Sequence, residues 1–292
     1  MLAPQPNSPK QRVIVISGGT DGMGRALALG RAECGDLVTA IGSSPAKGRR
    51  LIADADRIGA ADRVHFVQAD LSSVAATRRV VREIAARHEV VDALCLFANR
   101  QSPQRIVTAE GLERTFALYY LSRYVLGHEL APQLRRSASP VIVNVSGVGM
   151  TKGRIHWDDL QLERKYGTIA AQLQAGRAND LLGVAYAAQP DNPVRYVHYH
   201  PGFTKSGDIS NLPTPARLFI RTLAALAANP VEKSVAPLHG FIDNPPAASL
   251  TAIDRGKSLP LTLSSLDPAN AARLAEATRA ILDGLPVAPA TD

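Results

Sequence analysis

Cysteine is nearly absent: two in 292 residues, Cys34 near a helix end and Cys95 inside an apolar strand. So low a count excludes a disulfide framework or a thiolate metal site, and both thiols are expected to be buried bystanders. No apolar run reaches the roughly 18 residues that a membrane-spanning helix needs. The start, Met1-Leu2-Ala3-Pro4-Gln5-Pro6-Asn7-Ser8-Pro9, lacks the apolar middle of a secretory signal, so residues 1–11 are read as a flexible tail on a cytoplasmic protein. The seven histidines and the carboxylates form no pair at metal-ligand spacing, and no metal is expected. Ser17, Ser43 and Ser146 carry no hydrolase-elbow signature.

Charge is not scarce, but it is dispersed. The net charge is +7, yet the basic residues are scattered along helical patterns such as Arg78-Arg79-Val80-Val81-Arg82, which is how a solvated helix face reads. Nucleic acid is therefore not an expected partner. The positive field suits a phosphate-bearing cofactor or an anionic, phenolate-like substrate instead.

With 46% hydrophobic residues the chain can bury one large core, and a single domain over 12–292 is expected. Apolar β-rich runs at about 12–17, 37–42, 63–68, 91–97, 140–146 and 193–199 alternate with helical patterns at about 22–34, 46–58, 72–88, 109–136 and 167–188. That alternation predicts an α/β fold, a doubly wound parallel sheet with helices on both faces. Gly35-Asp36 closes the first helix, and the serines of Asp70-Leu71-Ser72-Ser73 are placed to cap the third. Beyond residue 200, prolines 201, 213, 215, 230, 245 and 246 punctuate short helices; the region about 200–245 is expected to cover a substrate, and a last helix runs from about Asp267 to Leu282.

The most informative stretch is Ser17-Gly18-Gly19-Thr20-Asp21-Gly22-Met23-Gly24. It follows the β-branched run Val13-Ile14-Val15-Ile16 and opens an Ala/Leu-rich helix. Glycines at such a strand-to-helix corner let backbone N–H groups approach a pyrophosphate, and the helix N-terminus stabilises the anion. The expected ligand is a dinucleotide, held by Gly18, Thr20, Gly22, Met23 and Gly24.

From these residues outward, the chain resembles the short-chain dehydrogenase/reductase family, whose fold is of Rossmann type. Asp70 is similar to the family's aspartate near the adenine ring, with Leu71 beside it. Leu94-Cys95-Leu96-Phe97-Ala98-Asn99 stands where the family has an Asn-Asn-Ala-Gly strand end, and only Ala98 survives in place. Val141-Ile142-Val143-Asn144-Val145-Ser146-Gly147 resembles the strand that carries the catalytic serine. His200-Pro201-Gly202-Phe203-Thr204 resembles the loop that contacts the nicotinamide and its phosphate, which implies cofactor roles for Pro201, Gly202 and Thr204. Gly153-Arg154-Ile155-His156-Trp157-Asp158-Asp159-Leu160 and Ala178-Asn179 look like the retinol-dehydrogenase-like subgroup.

That resemblance implies an atypical member. It puts Gly147 at the catalytic serine, Gln172 at the tyrosine, Gly176 at the lysine and Tyr119 at the helix asparagine. In the family a phenol, shifted from its ordinary pKa of about 10 by a neighbouring lysine, delivers the proton that follows hydride transfer. Gln172 cannot titrate, although its amide could stabilise an oxyanion. Two readings of Tyr119 stand. In one it is core filler with a satisfied hydroxyl; in the other its phenol enters the space vacated by the lysine and Gln172 hydrogen-bonds it or the substrate. Tyr166, Ser146, His156, His198 and His200 are weaker candidates, each with a structural reading.

At the end of the second strand, Gly42-Ser43-Ser44 replaces the carboxylate of an NAD site, and with Arg25 and Lys47 nearby this favours NADP, Ser43 lying against the ribose. Asp21 argues for NAD. The expected function is an NADP-dependent oxidoreductase with a non-standard site, acting on a hydrophobic carbonyl, quinone or conjugated enone in specialised, polyketide-like biosynthesis, possible also as a homodimer. The alternatives are a non-redox cyclase, isomerase or dehydratase, and a cofactor-binding protein without turnover, with NAD or no functional cofactor.

Overall fold

The computed structural model describes residues 11–150, 152–202 and 230–286. Eight strands form one sheet: β1 (Val13–Ser17), β2 (Leu37–Gly42), β3 (Val64–Gln68), β4 (Ala93–Leu96), β5 (Val141–Val145), β6 (Arg195–His200), β7 (Leu250–Asp254) and β8 (Lys257–Ser258). Their order is β3-β2-β1-β4-β5-β6-β7-β8, parallel throughout except for β8. The chain thus steps outward from β1 to β3 and then returns past β1 to β4. At that reversal the connections diverge, and a crevice opens at the C-terminal ends of β1 and β4. Ser17 lies in register with both Ile41 and Leu96, so these strands end level with one another.

The strands are apolar on both faces because helices cover both. Val15, Ile41, Leu94, Ile142 and Tyr196 pack on one side against α3 (Val74–Arg87), α5 (Ser122–Glu129), α7 (Thr168–Ala187) and α9 (Pro268–Asp283). Their neighbours Ile14, Ile16, Val38, Val143 and Val197 pack on the other side against α1 (Gly22–Glu33), α2 (Pro45–Arg57) and α8 (Val231–Asp243).

The six predicted strands are present, each within two residues of its expected bounds. β7 and β8 were not anticipated: only Ala252 of β7 is buried, so no apolar run marks it. The helix predicted over 109–136 is broken into α4 (Arg114–Phe116), a π-helical turn (Ala117–Leu121), α5 and α6 (Ala131–Leu134). The break has two causes. Asn179 Nδ2 donates to the Tyr119 carbonyl at 2.8 Å, drawing that group away from the helical ladder. Pro132, in the first turn of α6, has no N–H to continue the helix.

α9 starts one residue after its predicted origin because Asp267 is its N-cap, accepting from Asn270 N at 2.7 Å. Ser73 caps α3 through Ala76 N, as expected from the sequence. Cys34 corrects an expectation: it is exposed at the C-cap of α1, where the helix ends at the surface. Cys95 is buried, and burial pushes its thiol up to about 12. Among the described residues no helix is long and apolar enough to cross a membrane. Most of the expected substrate-covering region, 203–229, and the tail residues 1–10 lie outside the described residues.

Candidate active site

The glycine turn connects β1 to α1 at the mouth of the crevice. Gly18 has φ +71°, and a Cβ there would stand 2.9 Å from the Ala98 nitrogen, so the turn lies directly on the end of β4. A Cβ on Gly24 would collide with the Gly18 carbonyl. The bare main chain is therefore the floor of the site, as close approach to a pyrophosphate requires. Thr20 packs against Gly42, Met23 is buried under the turn, and Gly19 N donates to Ile41 O at 3.0 Å. The residues present fit a dinucleotide.

Asp70 follows β3 and accepts from both Ser72 N and Ser72 Oγ, at 2.9 and 2.8 Å. This turn buries Leu71 and keeps the carboxylate at the surface on the same edge of the sheet. Ser43 is exposed just beyond β2. Pro201 and Gly202, with φ +82° at the glycine, follow β6; Thr204 lies outside the described residues.

Charges around the turn are matched in pairs. Asp21 caps Gly22 N at 2.9 Å and accepts Lys47 Nζ at 2.6 Å. Arg25, expected near a 2′-phosphate, is instead ion-paired with the buried Asp54 of α2, and Arg57 reaches the same carboxylate at 2.6 Å. The Arg25 hydrogen bond lowers the pKa of Asp54. Of the two expected cations, Arg25 is committed to Asp54, and Lys47 is paired with Asp21.

Across the crevice, the structure corrects the expected arrangement of Gln172 and Tyr119. Gln172, in the first half of α7, exchanges amide hydrogen bonds with Asn99 at 3.0 and 3.2 Å, and its Nε2 also donates to Arg100 O at 3.4 Å. Asn99 follows β4, so this pair ties α7 to the rim of the crevice and Gln172 does not bond Tyr119. A Cβ on Gly176 would meet nothing within 4 Å, so the helix leaves open space at that position. Tyr119 keeps 7% of its surface accessible, and the Gly147 backbone is among the groups that act on its phenol. Burial raises its pKa, opposed by the Arg123 cation and the Gly147 backbone.

Arg123 was not singled out from the sequence. It is fully buried one helical turn after Tyr119, with its guanidinium 4.7 Å from the centre of the Tyr119 ring. It donates to Val145 O at 2.9 Å, Ala98 O at 3.1 Å and Asn144 Oδ1. Asn144 in turn donates to Asn179 Oδ1 at 3.0 Å and Tyr196 Oη at 2.8 Å. This polar web spans the ends of β4 and β5, α5 and α7. The signal available in the sequence was an arginine among Leu121, Val125 and Leu126, where helical spacing calls for an apolar side chain.

Asp180, also unanticipated, is buried on α7 with its Oδ1 lacking a hydrogen-bond partner. Gly149 N donates to its Oδ2 at 3.4 Å, and Arg177 Nε stands 3.8 Å away. Burial outweighs both and pushes its pKa up to about 7. His198 is buried with neither ring nitrogen bonded, and burial lowers it to about 4, which keeps it neutral. His200 Nδ1 is engaged by Asp254 at 2.7 Å. Ser146 is buried with a partnerless hydroxyl, and Tyr166 donates to Ser102 O at 2.7 Å, pinning the rim loop. His156 borders a groove with Lys152, Arg154 and Lys165 beside the start of α7.

Comparison with known proteins agrees with this architecture. The family model described as short chain dehydrogenase matches residues 12–158, and the chain belongs to that family. Human polyprenol dehydrogenase is 29% identical over 168 residues, 56% of this chain and 51% of that protein. Human retinol dehydrogenase 11 is 27% identical over 67% of this chain and 62% of its own length. The chain thus spans about half to two-thirds of these relatives. Among solved structures, the NADPH-dependent 3-quinuclidinone reductase of Rhodotorula rubra superposes with a TM-score of 0.64 at 19% identity, covering 88% of this chain and 97% of that one. The fold is the short chain dehydrogenase fold.

Proposed function

We propose that the protein is an NADP-dependent reductase of a hydrophobic carbonyl, quinone or conjugated enone, in a biosynthetic setting, with Tyr119 and Gln172 at the reacting end. The observation that carries this reading is the intact glycine floor at Gly18 and Gly24, set against a reacting end that holds a phenol and an amide pair. A bound nicotinamide would supply the hydride. The chain's part is to orient the acceptor, exclude water and provide a proton. In this reading the buried Tyr119 supplies the phenol, and the Gln172–Asn99 amide pair lies at the rim. Conjugated acceptors spread the charge left by hydride addition, which lightens the demand on the proton donor.

NADP is supported by Ser43 and Ser44 after β2, where no carboxylate meets the ribose, and by Lys47 at the start of α2. The related polyprenol and retinol dehydrogenases are named for long apolar alcohols, in keeping with a hydrophobic substrate. The test is transfer of deuterium from stereospecifically labelled NADPH to cyclohexenone, read by mass spectrometry, together with loss of the reduced-nicotinamide absorbance on addition of 1,4-naphthoquinone, whose hydroquinone product does not retain the label. Absence of both across a panel of such acceptors would sink the reading.

A second reading, non-redox isomerisation or dehydration, draws on Asp180, a buried carboxyl whose pKa burial pushes up to about 7. Turnover that persists without nucleotide and disappears in Asp180→Asn would favour it.

A further inference from the structure

We propose that Arg123 takes the part of a missing active-site lysine as a positioning cation, holding Tyr119 as the proton donor of the site. This rests on the reductase reading above.

The guanidinium is fully buried, yet its partners are the Ala98 and Val145 carbonyls and the Asn144 amide oxygen, and among the described residues it makes no ion pair. A buried cation without a carboxylate is costly and gains from a nearby anion. The side chain stacked on it is the Tyr119 ring. Ionising the phenol would neutralise the pair where the cation is least solvated, so the arginine favours proton release from Tyr119. Three local features agree. Arg123 and Tyr119 are four residues apart, on one side of the helical run. Residue 147 is a glycine whose backbone lowers the Tyr119 pKa, and a Cβ there would come 2.9 Å from Met150 Sδ. The guanidinium plane is fixed by carbonyls just past the end of β4, which borders the crevice, and at the end of β5 beside it.

The other groups facing the pair are Asp180 from α7, which opposes ionisation of the phenol, and Tyr196 and His198 from β6, both uncharged at neutral pH. Burial keeps the phenol protonated at rest. In the reduction, the hydride forms the new C–H bond, the carbonyl oxygen takes the Tyr119 proton as the O–H bond of the phenol breaks, and the phenolate left beside Arg123 recovers a proton from water. The electrons come from the reduced nicotinamide.

The test reads Tyr119 directly in the full-length protein without nucleotide. With 3,5-difluorotyrosine at position 119, ¹⁹F NMR follows the phenol through its titration. Arg123→Met is expected to move the midpoint up by about 1–3 pH units, and Arg123→Lys to leave it much closer to the parent. Should Arg123→Met fail to fold, Arg123→Gln, which keeps donors and drops the charge, asks the same question. A midpoint unmoved on loss of charge overturns the proposal. In turnover, Tyr119→Phe should lower kcat about 10²–10⁴-fold, with Arg123→Lys retaining more activity than Arg123→Gln; equal activity of all three also overturns it. Failure of hydride transfer in the parent protein would strike the reductase reading alone, because the titration needs no cofactor.

Discussion

The two halves of the sheet treat buried charge differently. Around β2, α1 and α2 the buried carboxylates Asp36 and Asp54 each have a cation against them, while Asp92 beside β1 accepts from Val13 N and Ser137 Oγ. Arg31 lies between Asp36 and Asp243, at 2.7 and 2.8 Å, and Asp54 holds Arg25 and Arg57. Around β5, β6 and α7 the opposite holds. Of ten buried side-chain polar atoms without a hydrogen bond among the described residues, nine lie beyond residue 114, including atoms of Arg123, Ser146, Asp180 and His198. The first half is a settled scaffold for the nucleotide. The second stores polar groups whose cost is unbalanced within the fold, and such groups cluster where chemistry is done.

Four substitutions break or sharpen this contrast. The largest effect is expected from Arg31→Met, which leaves Asp36 buried and unpaired; it should cost about 3–5 kcal/mol in chemical denaturation. Asp180→Asn should go the other way. The carboxyl's folded pKa, about 7, is above its ordinary value of 3.8, so the folded state binds more protons than the unfolded chain between these values. Stability should therefore fall as pH rises from about 4 to 7 and level off above. The asparagine variant removes that slope and gains on the order of a few kcal/mol at pH 8, measured by denaturation across pH. A slope that survives the substitution would place the titrating group elsewhere.

Smaller effects probe the rim. Asp21→Asn removes a carboxylate 2.6 Å from Lys47 Nζ, and the NADPH-to-NADH affinity ratio should rise about tenfold, roughly 1.4 kcal/mol, in a fluorescence titration. Gly176→Ala meets nothing within 4 Å and replaces a helix-interior glycine. It should stabilise the apoprotein by about 0.5–1 kcal/mol in thermal melts. Any loss of turnover in that variant would mean that the open space at Gly176 serves the substrate.

Legibility from the sequence followed the same division. The Val13–Ile16 run and the glycines after it announce a strand, a tight turn and a helix, because each of those demands is local. That the sheet is largely parallel, with helices on both faces, was readable from the alternation of strands and helices. β7 was not, since its neighbours on β6 and β8 determine its pairing and its own residues are half-exposed. Tyr119 could be noticed as a bulky residue at an unusual place, but its partner could not be assigned. Sequence suggested Gln172, whereas the fold gives Gln172 to Asn99 and Tyr119 to Arg123 and Gly147.

By itself the sequence determined the layered α/β architecture, the nucleotide floor at Gly18–Gly24 and the reach of the dehydrogenase family along the chain. Those follow from apolar periodicity and from glycine positions where no side chain fits. Tertiary structure alone decided which charges are matched, what surrounds the phenol and that Arg123 lies buried against carbonyls. Such outcomes depend on desolvation and on strands and helices brought together from distant parts of the chain, which no local pattern encodes.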